Sequence, residues 1–121
     1  MELAWTSFNK AAKLYKWLWN GMTRKGERNI EGKTRVHPTQ KPVGLFCDIF
    51  KDFDFKICLD GFLGSGSTMV AAHQLNRKCY GLELSEKYCQ VIINRMTKLD
   101  PNLEVKINGK PYKPKPPELP F

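Results

Sequence analysis

The middle of the chain joins a short apolar run to a glycine-rich stretch: Ile57–Asp60 reads ICLD, and residues 61–68 continue at once with GFLGSGST. An apolar run of this length is typical of a buried strand. Residues 69–75 then predict a helix, with Asn76 as its left-handed stop. Strand, glycine loop and helix in this order place backbone N–H groups and a helix N-terminus around a ligand, and the missing β-carbons let that ligand approach closely.

Helices and strands are predicted to alternate on both sides of this loop. A helix begins near Pro42, which suits a first-turn position, and ends near residues 52–54. A second strand is predicted at residues 79–84, followed by a helix that Ser85 can cap and that runs to residue 99. This order with short connections predicts an α/β fold whose parallel strands are flanked by helices.

The two ends of the chain differ from its middle. We expect a strand at residues 3–8, an amphipathic helix or an irregular segment at 10–19, and a polar loop at 21–35. Six of the eight prolines lie from position 101 onward and predict an extended tail. We interpret this tail as a terminal strap in preference to a partner-binding segment.

Size and composition narrow the class of protein. The 121 residues suffice for one domain. No apolar run approaches the ~18 residues of a membrane span, and the start lacks a signal-type apolar stretch, so we expect a soluble, cytoplasmic protein. The four cysteines include no Cys-x-x-Cys pair, which argues against a zinc site, and their apolar surroundings indicate small, reduced core residues.

Positive charge is concentrated in the first third of the chain. Residues 1–41 carry nine Lys or Arg and three Glu, and so account for most of the net charge of +8 of the whole chain. A basic block of this kind attracts polyanions, and its interleaved aromatic side chains could stack on unpaired bases. The alternative is that these aromatics are core residues and the lysines a solvated face, and composition leaves both open.

The loop sequence narrows the choice of ligand. Ser67 stands where a phosphate-binding loop needs lysine, and Met69 stands where a dinucleotide fingerprint needs its third glycine, so NTPases and dehydrogenases are disfavoured. Glu83 ends the second predicted strand, where a carboxylate can accept hydrogen bonds from both hydroxyls of a ribose. These residues favour a nucleoside-bearing ligand; for Glu83 the alternative is a surface carboxylate at a strand end.

Three spaced motifs carry a family resemblance: HPTQKP at 37–42, DxFxGSGST at 60–68 and GxExxxxY at 81–88. In this order they resemble the carboxyl-terminal half of DNA amino-methyltransferases of the β motif order, including phage-type members and enzymes of restriction-modification systems. The resemblance covers about residues 3–99. It implies a partial Rossmann-like methyltransferase fold, S-adenosylmethionine as cofactor and double-stranded DNA as substrate, with adenine N6 preferred over cytosine N4.

The resemblance also implies a division of the chain and a set of site residues. Residues 1–36 would belong to the target-recognition region, 37–99 would form the cofactor-binding core, and 100–121 the Pro-rich tail. Glu83 would hold the ribose, and residues 39–41 would lie near the methionine end. The implied cofactor contacts are Thr39, Gln40, Lys41, Asp60, Phe62, Gly64, Ser65, Gly66, Ser67, Thr68 and Glu83. The implied DNA contacts are Lys10, Lys13, Arg24, Lys25, Arg28, Lys33 and Arg35. Gly61 departs from the family, which more often has proline there.

One family motif has no counterpart in this sequence. The catalytic motif of these enzymes is Asp, Asn or Ser followed by Pro-Pro and an aromatic residue, whereas the one Pro-Pro pair here, Pro116-Pro117, lies between Lys115 and Glu118. We therefore expect no catalytic residue and no metal ligand in this chain, and no methyl transfer by the chain alone. A second chain or a missing amino-terminal half would supply the motif. The rival interpretation is a non-catalytic DNA-binding protein that uses its basic block on a Rossmann-like scaffold.

Overall fold

A computed structural model of the protein describes residues 4–17 and 40–114. The second range holds three helices, two parallel strands and a small hairpin. In chain order these are α1 (Val43–Lys51), β1 (Ile57–Asp60), α2 (Ser67–Gln74), β2 (Lys78–Gly81), α3 (Glu86–Leu99), β3 (Lys106–Ile107) and β4 (Lys110–Pro111). The predicted alternation of helices and strands is confirmed. None of the helices in these ranges is long and apolar enough to cross a membrane.

Strands β1 and β2 pair in parallel, with Ile57 opposite Lys78 and Asp60 opposite Gly81. The Leu82 N–H donates to the Asp60 carbonyl at 2.9 Å, which extends the pairing by one residue. The prediction that this strand continues to residue 84 is wrong at its end. The chain turns there, because the Glu83 carboxylate accepts the Ser85 N–H and fixes the turn into α3.

The core lies between helices α1 and α2. Val43, Val70 and Ala71 are buried there, and Phe46 and Phe50 of α1 pack against them half-buried. Helix α2 also contacts β2. Ala71 and Ala72 are fully buried, so α2 presents small side chains where neighbouring elements approach it.

The helix boundaries follow from local backbone chemistry. Pro42, predicted to lie in the first turn of α1, is instead its N-cap with φ −68° and ψ 132°, so the helix begins one position later, at Val43. Helix α2 begins two residues before its predicted start, because Gly66 adopts φ 84° and turns the chain directly into Ser67. The left-handed conformation predicted for Asn76 is confirmed by its φ of 56°. Ser85 caps α3 as predicted, its side chain accepting the Tyr88 N–H.

Residues 4–17 form neither helix nor strand. The strand predicted at 3–8 is therefore wrong over its described residues 4–8, which make no ladder with any described strand and leave Trp5 91% exposed. Over residues 10–17 the irregular alternative is the correct one. This segment lies against the end of α1, where the Phe8 and Phe53 rings are 4.8 Å apart.

Over its described residues, 100–114, the tail is less extended than predicted. Strands β3 and β4 pair antiparallel through a turn at Asn108 and Gly109, whose φ values are 50° and 77°. Two consecutive positive φ angles suit Asn-Gly, the favoured two-residue hairpin turn. After the hairpin, the Tyr112 hydroxyl donates to Gln90 Oε1 at 3.1 Å and ties this segment to α3.

Candidate ligand site at the glycine loop

The loop between β1 and α2 is shaped by its own hydrogen bonds. The Asp60 carboxylate accepts the Phe62 N–H at 2.9 Å, and the Leu63 carbonyl accepts the Gly66 N–H at 2.9 Å. Gly64 and Gly66 have φ 56° and 84°, in the left-handed region that favours glycine. The loop therefore keeps a tight, defined path from the strand end to the first turn of α2.

Close packing beneath the loop depends on absent side chains. A β-carbon at Gly66 would lie 3.0 Å from Ile92 Cγ1 of α3. A β-carbon at Gly81 would lie 2.2 Å from Leu63, whose side chain is buried. The loop thus rests directly on α3 and β2.

Glu83 joins the loop to the start of α3. Its Oε2 accepts the Gly64 N–H at 2.8 Å, and its Oε1 accepts the Ser85 N–H at 2.9 Å. A carboxylate offers about four lone-pair positions, so these two bonds by themselves do not use all of them. The role predicted for Glu83 as a ribose ligand stays a prediction, and the structure adds a second role, that of a loop anchor.

Lys41 meets the loop at Ser67. The Ser67 hydroxyl donates to the Lys41 carbonyl at 2.8 Å. Of the three predicted contacts from the HPTQKP motif, Lys41 thus lies beside the start of α2, and Gln40, next to it in the chain, is 3% exposed. Thr39 lies outside the described residues.

Arg95 of α3 was not predicted to take part in the site. Its Nη1 donates to the Ser65 carbonyl at 3.1 Å, to the Ser65 hydroxyl at 3.4 Å and to the Ser67 hydroxyl at 3.2 Å. A sequence signal was present, because Arg95 follows the buried Val91 and Ile92 by four and three positions and so shares their helix face. An arginine on a buried face needs acceptors, and the glycine loop supplies them.

The solvent side of the loop carries apolar groups. Phe62 is 94% exposed and Leu84, next to Glu83, is fully exposed. Thr68 and Gly64 are half-buried. An exposed aromatic ring beside backbone N–H groups offers a flat apolar surface to a planar ligand.

Two of the seven predicted DNA contacts are described, and both are engaged with Asp52. Lys10 donates to the Asp52 carbonyl, and Lys13 pairs with its Oδ2 at 2.5 Å. The Tyr15 hydroxyl donates to the same carboxylate, and Trp17 Nε1 donates to Asp48 at 3.0 Å. The other five lie outside the described residues: Arg24, Lys25, Arg28, Lys33 and Arg35.

These contacts shift two titrations. The hydrogen bonds from Lys13 and then Tyr15 hold the pKa of the Asp52 carboxyl below its usual range. The hydrogen bond to Asp52, followed by burial, raises the pKa of Tyr15 to about 12. Part of the positive charge of segment 10–17 is therefore engaged in contacts with Asp52 at the end of α1.

One face of the parallel sheet is open in the described part of the chain. Leu59 and Tyr80 lie opposite each other in register and are 75% and 60% exposed, while Ile57 and Leu82 extend the same face at 57% and 66%. Parallel sheets are normally covered on both faces. This apolar face, formed by Ile57, Leu59, Tyr80 and Leu82, is a surface that another element would stabilise by covering it.

The cysteines show no metal chemistry among the described residues. Cys58 and Cys79 lie opposite each other in register, and burial followed by the hydrogen bond with Cys58 raises the pKa of Cys79 to about 12. All four cysteines are free thiols and half-buried, less buried than the predicted core residues. In residues 4–17 and 40–114 no three His, Cys, Asp or Glu side chains cluster in a way that could hold a metal ion.

Comparisons with known proteins identify relatives over most of this region. The profile of the family described as DNA methylase matches residues 4–95. The chain is 48% identical over 56 residues to the YubD protein of Escherichia coli (strain K12), which is 45% of this chain and 25% of that protein. It is 36% identical over 85 residues to the type II methyltransferase M2.LlaDCHI of Lactococcus lactis subsp. cremoris, 67% of this chain and 30% of that enzyme.

A solved structure, that of the M1.HpyAVI complex with S-adenosylmethionine, superposes with a TM-score of 0.51 at 32% identity. The match covers 67% of this chain and 44% of that one, and it confirms the predicted α/β fold class. The chain spans less than a third of the length of the two curated relatives.

Proposed function

Because this chain belongs to the DNA methylase family, we propose that it is the S-adenosylmethionine-binding and DNA-contacting portion of an enzyme that methylates an exocyclic amino nitrogen of a DNA base. The acceptor we propose is adenine N6, with cytosine N4 as the alternative outcome of the test. The observation that carries the proposal is the glycine loop after β1, which is anchored by the Glu83 carboxylate and bordered by the exposed Phe62 ring. The relative solved with S-adenosylmethionine supports the choice of cofactor.

The residues of the loop fit this cofactor. When bound, the cofactor supplies a methyl group activated on a cationic sulfonium. The left-handed turns at Gly64 and Gly66 shape the loop that would receive it, and Glu83 would accept its ribose hydroxyls. The exposed ring of Phe62 would cover its adenine, and the Lys41 ammonium would neutralise its carboxylate. Since the reactive group is cationic, the loop needs no phosphate-binding lysine at Ser67.

The chain's own residues hold the reactants but do not align them. Methyl transfer requires the lone pair of the acceptor nitrogen to point at the sulfonium, and a base taken out of the duplex requires a stacking partner. The sequence contains no Asp, Asn or Ser followed by Pro-Pro and an aromatic residue. We therefore propose that a segment with this motif acts together with the chain.

The apolar sheet face supports this proposal. Ile57, Leu59, Tyr80 and Leu82 expose a surface that a further α/β segment could cover. Such a segment would also bring its own residues toward the loop end of β1. Action on bacterial DNA would take place in the cytoplasm.

The proposal is tested first by calorimetry with S-adenosylhomocysteine, S-adenosylmethionine, NAD and ATP. We expect binding of the two S-adenosyl compounds and none of NAD or ATP. Binding of NAD or ATP with no binding of the S-adenosyl compounds would overturn the cofactor assignment.

Methyl transfer is then measured with labelled cofactor and duplex DNA. The chain is assayed alone and with a separately expressed segment that carries the Pro-Pro-aromatic motif. We expect incorporation only with the added segment, and digestion of the DNA followed by mass spectrometry distinguishes N6-methyladenine from N4-methylcytosine. Incorporation by the chain alone would show that its own residues form a reaction centre.

A further inference from the structure

Arg95 links the two parts of the proposed cofactor site. We infer that it is a positioning residue, which holds the glycine loop and the residue before Pro42 in the arrangement that binds the cofactor. This inference rests on the proposed function, and it assigns a role to a side chain outside all three sequence motifs. Arg95 would act through the loop without touching the cofactor.

The peptide group between Ser65 and Gly66 is fixed on both sides. Its carbonyl accepts from Arg95 Nη1 at 3.1 Å, and its N–H donates to the Leu63 carbonyl at 2.9 Å. Gly66 is the N-cap of α2, and its φ of 84° turns the chain into the helix. Holding this peptide plane therefore sets the direction in which α2 begins and the orientation of the loop N–H groups.

Burial makes these hydrogen bonds consequential. Ser65 is 4% exposed and Ser67 is 5% exposed. A buried carbonyl that loses its donor cannot turn to water without moving the chain, so its loss costs more than an exposed hydrogen bond would. Loss of Arg95 would therefore be relieved by movement of the loop.

Ser67 passes the effect of Arg95 to a distant part of the sequence. Its hydroxyl accepts from Arg95 at 3.2 Å and donates to the Lys41 carbonyl at 2.8 Å, which lies 26 positions earlier in the chain. A hydroxyl that accepts from a cation becomes a stronger donor, so the two bonds reinforce each other. The Arg95 guanidinium thereby fixes the position of the loop relative to the segment at Lys41.

The geometry explains why this residue is an arginine. All three contacts come from Nη1, whose two N–H groups are shared between a carbonyl and two hydroxyls; the rigid guanidinium plane holds that nitrogen in place, whereas a lysine ammonium is a point charge on a flexible stem. Lys98 lies three positions further on the same helix and is exposed, and its side chain makes no hydrogen bond or ion pair with residues 4–17 or 40–114. It provides a matched control for the loss of one positive charge from α3.

The first experiment needs no ligand. Amide hydrogen exchange is compared in the full chain with Arg95→Met, Arg95→Lys and Lys98→Met, below the unfolding temperature of each variant. We expect exchange at residues 64–68 to accelerate by at least about tenfold in Arg95→Met, as expected for a lost charge-assisted hydrogen bond. The middle of α3 should keep its protection, Arg95→Lys should lie between, and Lys98→Met should match the wild type.

The second experiment measures S-adenosylhomocysteine binding by calorimetry at the same temperature. We expect Arg95→Met to weaken binding by about 10- to 100-fold and Lys98→Met to leave it unchanged. Ser67→Ala should weaken binding less than Arg95→Met. The variant that combines Arg95→Met with Ser67→Ala should bind more tightly than the product of the two single effects predicts, because both changes interrupt the same chain of hydrogen bonds from Arg95 through Ser67 to Lys41.

The outcomes separate this inference from the proposed function. A wild-type chain that binds no S-adenosylhomocysteine contradicts the proposed function, whereas the exchange experiment still decides whether Arg95 holds the loop. Equal binding by wild type and Arg95→Met overturns the positioning role. So does a general loss of protection along α3 with no local effect at residues 64–68. If Arg95→Met does not fold, Arg95→Lys carries both comparisons.

Discussion

The Gly64 N–H donates to the Glu83 carboxylate at 2.8 Å, although the two residues are 19 positions apart. The same carboxylate accepts the Ser85 N–H at the cap of α3. One side chain thus fixes both the glycine loop and the turn after β2. A ligand contact at Glu83 would therefore depend on a residue that also holds the fold.

Replacement of Glu83 should lower both stability and binding. Glu83→Ala leaves two backbone N–H groups without their acceptor, which we expect to cost about 1–3 kcal/mol in the free energy of unfolding. Glu83→Gln keeps one acceptor oxygen and should cost less. Urea denaturation gives the stability, and calorimetry with S-adenosylhomocysteine gives the affinity. Glu83→Ala with unchanged stability would contradict the anchoring role, and unchanged affinity would contradict the ribose assignment.

Gly66 should tolerate no side chain, whereas Gly61 should. Gly66→Ala forces a residue to φ 84° and brings its β-carbon to 3.0 Å from Ile92, so we expect a loss of about 1–3 kcal/mol. Apart from its chain neighbours, no atom of the described residues lies within 4 Å of a β-carbon added at Gly61, and Gly61→Ala should lie within about 1 kcal/mol of the wild type. Thermal unfolding of the two variants side by side tests the difference. Equal destabilisation by both would show that the loop is not packed as described.

Lys13 should contribute less to DNA binding than the basic residues further along the chain, because it is paired with Asp52. Fluorescence anisotropy with a DNA duplex at several salt concentrations gives the slope of log affinity against log salt. Arg24→Gln should make this slope shallower by about 0.9, the value for one lost phosphate contact, and Lys13→Gln should change it less. The two variants lose the same charge, so equal slope changes would contradict the assignment.

The pKa of Tyr15 should depend on the charge of Asp52, and the pKa of Asp52 on the hydrogen bond from Tyr15. Since the folded-state pKa of Tyr15 is raised to about 12, its contribution to stability is complete below the unfolded value near 10 and is lost as the pH rises toward 12. The pKa of Asp52 is lowered, so its contribution is present above its unfolded value and is lost as the pH falls through the folded one. Ultraviolet titration of the phenols should show one group near 12 that moves toward 10 in Asp52→Asn. A titration identical in both proteins would contradict the contact.

The apolar sheet face should tolerate polar substitution in the isolated chain. Leu59→Ser should change the free energy of unfolding by less than about 1 kcal/mol, because the side chain is 75% exposed. Val70→Ser, a matched change at a residue 5% exposed, should cost several times more. If the face docks the catalytic segment, Leu59→Ser should also reduce complementation in the methyl-transfer assay. Complementation equal to that of the wild type would place the docking surface elsewhere.

The parts of the fold that follow from local chemistry could be predicted from the sequence. The run at 57–60, the Ser85 cap and the stop at Asn76 each act within a few residues, and each was found in the structure. The strand predicted at 3–8 was wrong over residues 4–8, because β-forming residues make a strand only where a partner strand exists, and no described strand pairs with them. The hairpin at 106–111 was missed, although Asn108-Gly109 is a strong turn signal.

One juxtaposition in the candidate site could be predicted from the sequence, whereas the cofactor contacts assigned to its residues stay predictions. The glycine loop and Lys41 do meet, at the Ser67 hydroxyl. The part played by Arg95 depends on how α3 packs under the loop, and this is a tertiary relationship that no motif spacing contains. Likewise, the engagement of Lys13 by Asp52 joins positions 39 apart. Composition gives the number of these charged residues but not the residues with which they interact.

The contact between Leu63 and Gly81 restricts how the two positions can change during evolution. The Leu63 side chain fills the space that any side chain at 81 would need, so the size of one residue limits the size of the other. A lineage that enlarges position 81 must first shorten position 63, and the intermediate with both residues large is the one that selection removes. The two sites should therefore covary among homologues, because together they set the distance between the glycine loop and the sheet.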